Sequence, residues 1–150
     1  MITIIQRVTS AKVTVNDKVI GRIDKGIMAL VAVEKNDTEK DAERLLERIL
    51  NYRIFADAED KMNLSLRTIN GGLLLVPQFT LAADTRTGNR PSFISAAAPE
   101  KGLELFNYLQ DLAIKIYPTV QSGEFGADMQ VALINNGPVT FTLRTAGALL

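Results

Sequence analysis

Seven consecutive residues with no polar side chain, Ile27-Met-Ala-Leu-Val-Ala-Val33, constrain the fold of this chain more than any other stretch. The run is far too short to cross a membrane and has no polar face, so it reads as a central strand covered on both sides. A second apolar run, Leu73-Leu-Leu-Val76, follows the turn signal Asn70-Gly71-Gly72 and ends at Pro77. Proline lacks a backbone donor, so the chain must leave the sheet ladder where Gln78 and Thr80 appear. A buried strand that ends in this way presents polar groups at a rim. The segment continues through Thr85-Arg-Thr-Gly-Asn-Arg-Pro-Ser-Phe93, a glycine-containing loop in which Arg86 and Arg90 offer positive charge to an anion.

The rest of the chain supplies layers for these two strands. Met1–Val8 is rich in β-formers, Lys12–Val15 alternates polar and apolar, and Asn16-Asp17 precedes Val19–Ile23, which together predict a hairpin. Asn36-Asp37-Thr38 offers capping oxygens ahead of Ala42, Leu45, Leu46, Ile49 and Leu50, whose three- and four-residue spacing predicts an amphipathic helix. Tyr52–Phe55 reads as a short strand, and Ala56–Asn63 as a charged loop before Leu64-Ser-Leu66 and the Asn70-Gly71-Gly72 turn. Pro99 suits the first position of a second helix, with Leu105, Leu109, Leu112 and Ile116 along one face and Pro118 as its stop. Phe125–Ile134 and Val139–Leu143 read as two strands around a hairpin turn at Asn136-Gly137-Pro138, and Thr145–Leu150 as a loose tail. No repeat or linker divides the chain, so a single domain over 1–150 is expected. Its class is α/β, with a curved, mostly antiparallel, barrel-like sheet and two main helices packed on it. Open strand edges on such a sheet make a homodimer the expected assembly.

Composition narrows the chemistry. With 150 residues, 47% of them hydrophobic, the chain is large enough for a core without staples. Seventeen basic residues balance seventeen acidic ones, so no global field holds long nucleic acid, and any such partner must be gripped locally. Cysteine and histidine are both absent. Thiol nucleophiles, imidazole bases and the usual zinc ligand sets are thereby excluded, and neither a metal nor a cofactor is expected. The chain shows no secretory or membrane-spanning pattern, and the expected location is the cytoplasm, with no membrane or DNA partner.

Two readings stand for each candidate residue. Gln78 and Thr80 either satisfy local backbone groups at a strand end or belong to a site. Thr80 as a nucleophile would need a base, and histidine is absent. Backbone N–H groups near Phe79 and Thr80, freed where the strand breaks, can instead face a developing oxyanion without any titrating residue. Arg86 and Arg90 are either loop charges or forked anion holders. Asn136-Gly137-Pro138 reads as a turn, and base rates favour a trans peptide there, since only about 5–6% of X–Pro bonds are cis. Asp128 and Met129 read as a strand start and a core filler.

Val76-Pro-Gln-Phe-Thr-Leu-Ala-Ala-Asp84, Arg90-Pro-Ser-Phe93, Phe125-Gly-Ala-Asp-Met129 and Asn136-Gly-Pro-Val-Thr140, taken together, resemble the D-aminoacyl-tRNA deacylase family. Gln6-Arg7-Val8, Asn51-Tyr-Arg-Ile-Phe55 and Lys61-Met-Asn63 extend the resemblance in family order over nearly the whole chain. It implies the fold of that family and a homodimer that hydrolyses the ester between a D-amino acid, or glycine mischarged on the alanine tRNA, and the 3′-terminal adenosine. The family's Ser-Gln-x-Thr motif falls on Pro77-Gln78-Phe79-Thr80. Its Gly-Pro motif, a cis bond that reaches into the partner's pocket, falls on Gly137-Pro138, and its bracing arginine on Arg7. Met129, with Pro77, then belongs to the substrate pocket, and Arg86 and Arg90 to a tRNA contact.

The resemblance also implies a division of labour. Gln78 orients the terminal ribose, backbone at Phe79 and Thr80 stabilises the oxyanion, and the carbonyls of Gly137 and Pro138 exclude L side chains. The chain departs from the pattern at Pro77, where the family has serine. A related group of relaxed stereospecificity also has Pro-Gln there, but with a small residue in place of Phe79. The alternative function is a tRNA 3′-end binding module without hydrolysis.

Overall fold

The structure is a computed structural model that describes residues 1–145. Its organising element is β1 (Ile2–Val15), a strand of 14 residues that is paired along both edges. On one edge its first half runs antiparallel to β3 (Gly26–Ala32) and its second half to β2 (Lys18–Ile23). β8 (Gln130–Arg144) runs antiparallel along the other edge, from Ile2 opposite Arg144 to Thr14 opposite Gln130. β3 continues in parallel to β6 (Gly72–Pro77), and β6 in parallel to β7 (Val120–Ser122). The sheet order is β2-β1-β3-β6-β7, with β8 beside β1. A Cβ built on Gly21 of β2 would lie 2.8 Å from the Ser122 carbonyl of β7, so the sheet curls to near closure.

The two parallel pairings require crossovers, and the two long helices provide them. α1 (Glu39–Asn51) lies between β3 and β6 in the chain. The four-residue α2 (Leu66–Ile69) follows a small hairpin of β4 (Phe55–Ala56) and β5 (Met62–Leu64), and α3 (Pro99–Ile116) connects β6 to β7. At the start of α1 the Asp41 carboxylate accepts the Thr38 N–H at 2.9 Å, the reciprocal contact of a capping box. Ala42, Leu45, Leu46, Ile49 and Leu50 are all buried. Each of those Leu and Ile side chains contributes about 1.5–3 kcal/mol by burial. They meet Ile5, Ile27, Ala29, Leu73 and Leu75 from one face of the sheet, and Leu105, Phe106, Leu109 and Ala113 from α3. The other face encloses a smaller cluster around Val8, Val13, Met28, Leu74 and Val76. Tyr117, buried after α3, donates its hydroxyl to the Gly71 carbonyl at 2.6 Å and fixes the helix end to the start of β6.

The structure corrects three expectations. Residues 130–144 form one strand and not a hairpin: Asn135 lies opposite Val8 and Thr140 opposite Gln6, so both halves pair with β1 and the chain has no need to reverse. Residues 136–139 bulge out between them, opposite Arg7. Tyr52 caps α1 and is not in a strand, which begins only at Phe55. The expected loop over 56–63 is in part strand, since Ala56 pairs with Met62 and β5 begins there, after which Leu66 opens α2 because the Ser65 hydroxyl accepts the Thr68 N–H and caps a helical turn. Of the expected loose tail, Thr145 is buried, with its N–H on the Met1 carbonyl at 3.0 Å, and the remainder lies outside the described residues. Among the described residues no helix is long and apolar enough to cross a membrane.

Gly26 lies level with Gly72 across the parallel β3–β6 ladder. A Cβ on Gly26 would stand 1.9 Å from the Gly72 carbonyl oxygen, a backbone atom that no rotamer change can move. Gly26→Ala is expected to destabilise by more than about 3 kcal/mol, read as a large fall in thermal unfolding midpoint. A near-unchanged midpoint would mean that the two strands separate freely.

Candidate active site

The turn that follows β6 is built by two backbone bonds. The Gln78 N–H donates to the Val31 carbonyl at 2.8 Å, the last contact to the sheet, and the Gln78 carbonyl accepts the Leu81 N–H at 3.2 Å. A single 3₁₀ turn results over Phe79–Ala82. The first N–H groups of any such turn point out of it without an intrahelical acceptor. Here these belong to Phe79 and Thr80, and among the described residues no acceptor meets either. The Gln78 side-chain amide donates to Thr80 Oγ1 at 2.6 Å, so the hydroxyl faces an amide and not a base.

Beside this turn lies an apolar cavity of about 260 Å³. Pro77 and Phe79 form one wall, Val31 and Val33 the floor, and Gly102, Phe106 and Phe125 the side toward α3. Pro77 is buried, whereas Phe79 is 57% exposed and rests against Phe93, with ring centroids 5.2 Å apart. Phe93 belongs to the motif Arg90-Pro-Ser-Phe93, but its contact with Phe79 has no signal in the sequence. Met129 is not among the residues lining this cavity. It packs, half-buried, with the inner cluster, its Sδ beside Gly123.

The second segment stands elsewhere. Arg7, opposite the 136–139 bulge, donates from Nε to the Asn136 carbonyl at 2.9 Å and from Nη1 to the Ile54 carbonyl at 2.8 Å. Asn135 closes the bulge, accepting the Val139 N–H at 2.7 Å and donating to Thr140 Oγ1 at 2.9 Å. Sequence reasoning passed over Asn135, although an asparagine just before Asn-Gly is a side chain suited to close such a loop. Gly137 has φ of +140°, and a Cβ there would lie 2.7 Å from Val139 Cγ2, so glycine is required on two counts. The Gly137–Pro138 peptide is cis, the isomer the family resemblance implies and the base rate disfavours. Both residues are exposed.

Within one chain these two segments do not meet. Pro77 is level with Val31 and so with Thr3, four positions from Arg7 along β1. That is roughly 13 Å along the strands, and the three strand spacings from β6 to β8 add roughly 14 Å across them.

Arg86 and Arg90 differ in their surroundings. The Asp84 and Ser92 backbones exchange two hydrogen bonds, of 2.7 and 3.0 Å, and close the loop between them. Within it Arg86 grips the Asp84 carboxylate with Nε at 2.9 Å and Nη2 at 2.7 Å. Its fork is thus already filled. Arg90 is exposed and makes no ion pair among the described residues. The Arg86 side-chain hydrogen bonds, then its backbone N–H, bring the Asp84 carboxyl from an ordinary 3.8 down to about 2. Because the folded value lies below the unfolded one, the contact supports the loop fully above about pH 4 and is lost as pH falls through about 2. A carbon NMR titration should give Asp84 a midpoint of about 2, and Arg86→Ala should return it toward the ordinary range; an unshifted midpoint in the parent chain would show that the fork does not persist in solution.

A family model described as D-Tyr-tRNA(Tyr) deacylase matches residues 4–144. The chain is 58% identical over 142 residues to a D-aminoacyl-tRNA deacylase of Pseudomonas fluorescens (strain Pf0-1), a match that covers 95% of this chain and 98% of that one. It is 59% identical over 141 residues to one of Pseudomonas entomophila (strain L48), covering 94% and 97%. Among solved structures, the c-Myc DNA Unwinding Element Binding Protein is similar with a TM-score of 0.93 at 36% identity, over 98% of this chain and 100% of that one. A probable eukaryotic D-amino acid tRNA deacylase is similar with a TM-score of 0.81 at 19% identity, over 96% and 98%, a likeness of fold alone. The match reaches from β1 to the end of β8 and takes in both the turn after β6 and the Arg7-braced bulge. The chain belongs to the D-Tyr-tRNA(Tyr) deacylase family.

Proposed function

We propose that this chain is a hydrolase that cleaves the ester between a D-amino acid, or glycine, and the 3′-terminal ribose of tRNA, and that it works as a homodimer. The observation that carries this reading is the pair of unfilled donors, Phe79 N–H and Thr80 N–H, in a turn whose Phe79 lines an apolar cavity, with no base hydrogen-bonded to Thr80. The cavity's volume of about 260 Å³ and its apolar walls suit an aromatic base, so the terminal adenine is placed there with its ribose toward Gln78, next in the chain to the lining residues Pro77 and Phe79. Water adds to the ester carbonyl, charge gathers on the carbonyl oxygen, and the two N–H groups receive it. An oxyanion donor of this kind is worth about 2.7–4 kcal/mol. The C–O3′ bond then breaks, and the ribose oxygen leaves with a proton that came from the water.

The base that a histidine would supply is replaced by the substrate. The ribose 2′-hydroxyl is held beside the scissile carbonyl by its own ring, and such fixed geometry is worth about 7–11 kcal/mol at its upper end. Gln78 keeps that ribose in place. Chirality is selected by exclusion: Gly137 and Pro138 of the second subunit stand where an L side chain would project. The separation of the two segments within one chain favours this arrangement, because only a partner's bulge can complete the turn after β6. Glycine has no side chain to clash and is accepted.

Deacylation of matched D-, L- and glycyl-tRNA tests this function. Release of D-amino acid and glycine with the L-ester left intact is the expected result. Cleavage of none of them, with tRNA still bound, would leave a binding module in place of an enzyme. For the chemistry, a 2′-deoxy terminal adenosine should abolish cleavage while Thr80→Val loses less than about tenfold in kcat. Rapid cleavage of the deoxy substrate, or a total loss in Thr80→Val, would move the burden to a protein nucleophile.

A further inference from the structure

Lys12 and Arg22 stand directly opposite one another in the antiparallel β1–β2 ladder. Like charges in that position repel, and sheets ordinarily place an acid or a neutral residue there. Neither cation makes an ion pair among the described residues, although Asp24 follows Arg22 by two positions. Both are exposed and line a shallow pocket of about 240 Å³ with Ser10 and with Ala132 and Ile134 of β8. Two cations and a hydroxyl lining one pocket without a carboxylate have the chemistry of a phosphate site. The net charge of the chain is zero, so a local pair of this kind is the form in which it can hold a polyanion. Arg86 is a poorer candidate, because Asp84 already fills its fork.

Position along β1 indicates which polyanion. Lys12 lies five residues beyond Arg7, the side chain that braces the Gly137–Pro138 bulge, which is at most about 17 Å along the strand. Whichever subunit lends that bulge to a site therefore brings its own Lys12–Arg22 pair within a few nucleotides of the bound 3′ end. We propose that Lys12 and Arg22 form a phosphate clamp for the RNA backbone upstream of the terminal adenosine, held in trans to the subunit that supplies Gln78. This inference rests on the homodimeric tRNA reading given above.

The clamp is tested on uncharged tRNA, whose binding requires no hydrolysis, so that absent deacylation in the parent chain counts against the proposed function and not against the clamp. Binding is measured over a salt series for the parent, for the double variant Lys12→Gln/Arg22→Gln, and for the charge-keeping swap Lys12→Arg/Arg22→Lys. The neutral variant should bind more weakly, with a log–log salt slope shallower by about 1–2, and the swap should restore most of the affinity. The unfolding midpoint of the neutral variant should be equal or higher, since a repulsion has been removed, whereas a structural role for the pair would lower it. An unchanged affinity and slope overturns the clamp. So does equal binding of a DNA duplex by parent chain and neutral variant alike, together with equal binding of tRNA.

Discussion

Pairing on both edges of β1 is the constraint on which the rest of the structure depends. A 14-residue strand in this sheet is too long for any one neighbour on its inner edge, so β3 takes its first half and β2 its second. The change of partner turns the sheet back toward β7 and makes it a barrel in place of an open layer. On the outer edge β8 follows the whole length, and where its register slips it expels residues 136–139. The two segments of the candidate site are consequences of this arrangement. One is the point at which β6, last supported through Val31, runs out of ladder at Pro77, and the other is the point at which β8 has more residues than β1 can pair.

The chemistry follows from what the chain lacks. Histidine and cysteine are absent and the Thr80 hydroxyl meets the Gln78 amide and not a base, so the proposed reaction relies on backbone donors fixed by a turn to stabilise its transition state. Backbone donors do not titrate. The positions of Phe79 N–H and Thr80 N–H are set by hydrogen bonds from Gln78 to Val31, from Leu81 to Gln78 and from Ala83 to Thr80, with the Gln78 side chain on Thr80 Oγ1. Phe93 adds a lateral support through the ring of Phe79, an aromatic contact of a kind worth about 0.5–1.5 kcal/mol.

Much of this was legible in the sequence, for a physical reason in each case. The apolar runs at Ile27–Val33 and Leu73–Val76 signal burial on two faces, and Pro77 announces the end of a ladder whatever lies beside it. The spacing in α1 and the Pro99 and Pro118 boundaries of α3 likewise express local rules. The parallel pairing of β3 with β6 carries no such local mark, although the helix between them is what makes it necessary. Asn136-Gly137-Pro138 misled because its dihedral preferences are those of a hairpin turn. Whether a turn reverses the chain depends on where the flanking strands find partners, and both of these found β1. Arg7 is identifiable only by resemblance, since its contacts, Asn136 and Ile54, lie far away in the chain. Lys12 opposite Arg22 becomes visible only when the register is known.

The bulge in β8 has a further consequence. Its two flanks are pinned separately, residues 130–135 against one half of β1 and residues 140–144 against the other. A change of length or composition in the four residues between them therefore transmits no slip to either flank, unlike a change inside a continuous ladder, which would turn every following side chain to the wrong face. The loop is mechanically insulated from the barrel that carries it. The loop's own shape is held by Gly137 and by the Arg7 and Asn135 contacts, and a change to it leaves the register of the remaining chain untouched.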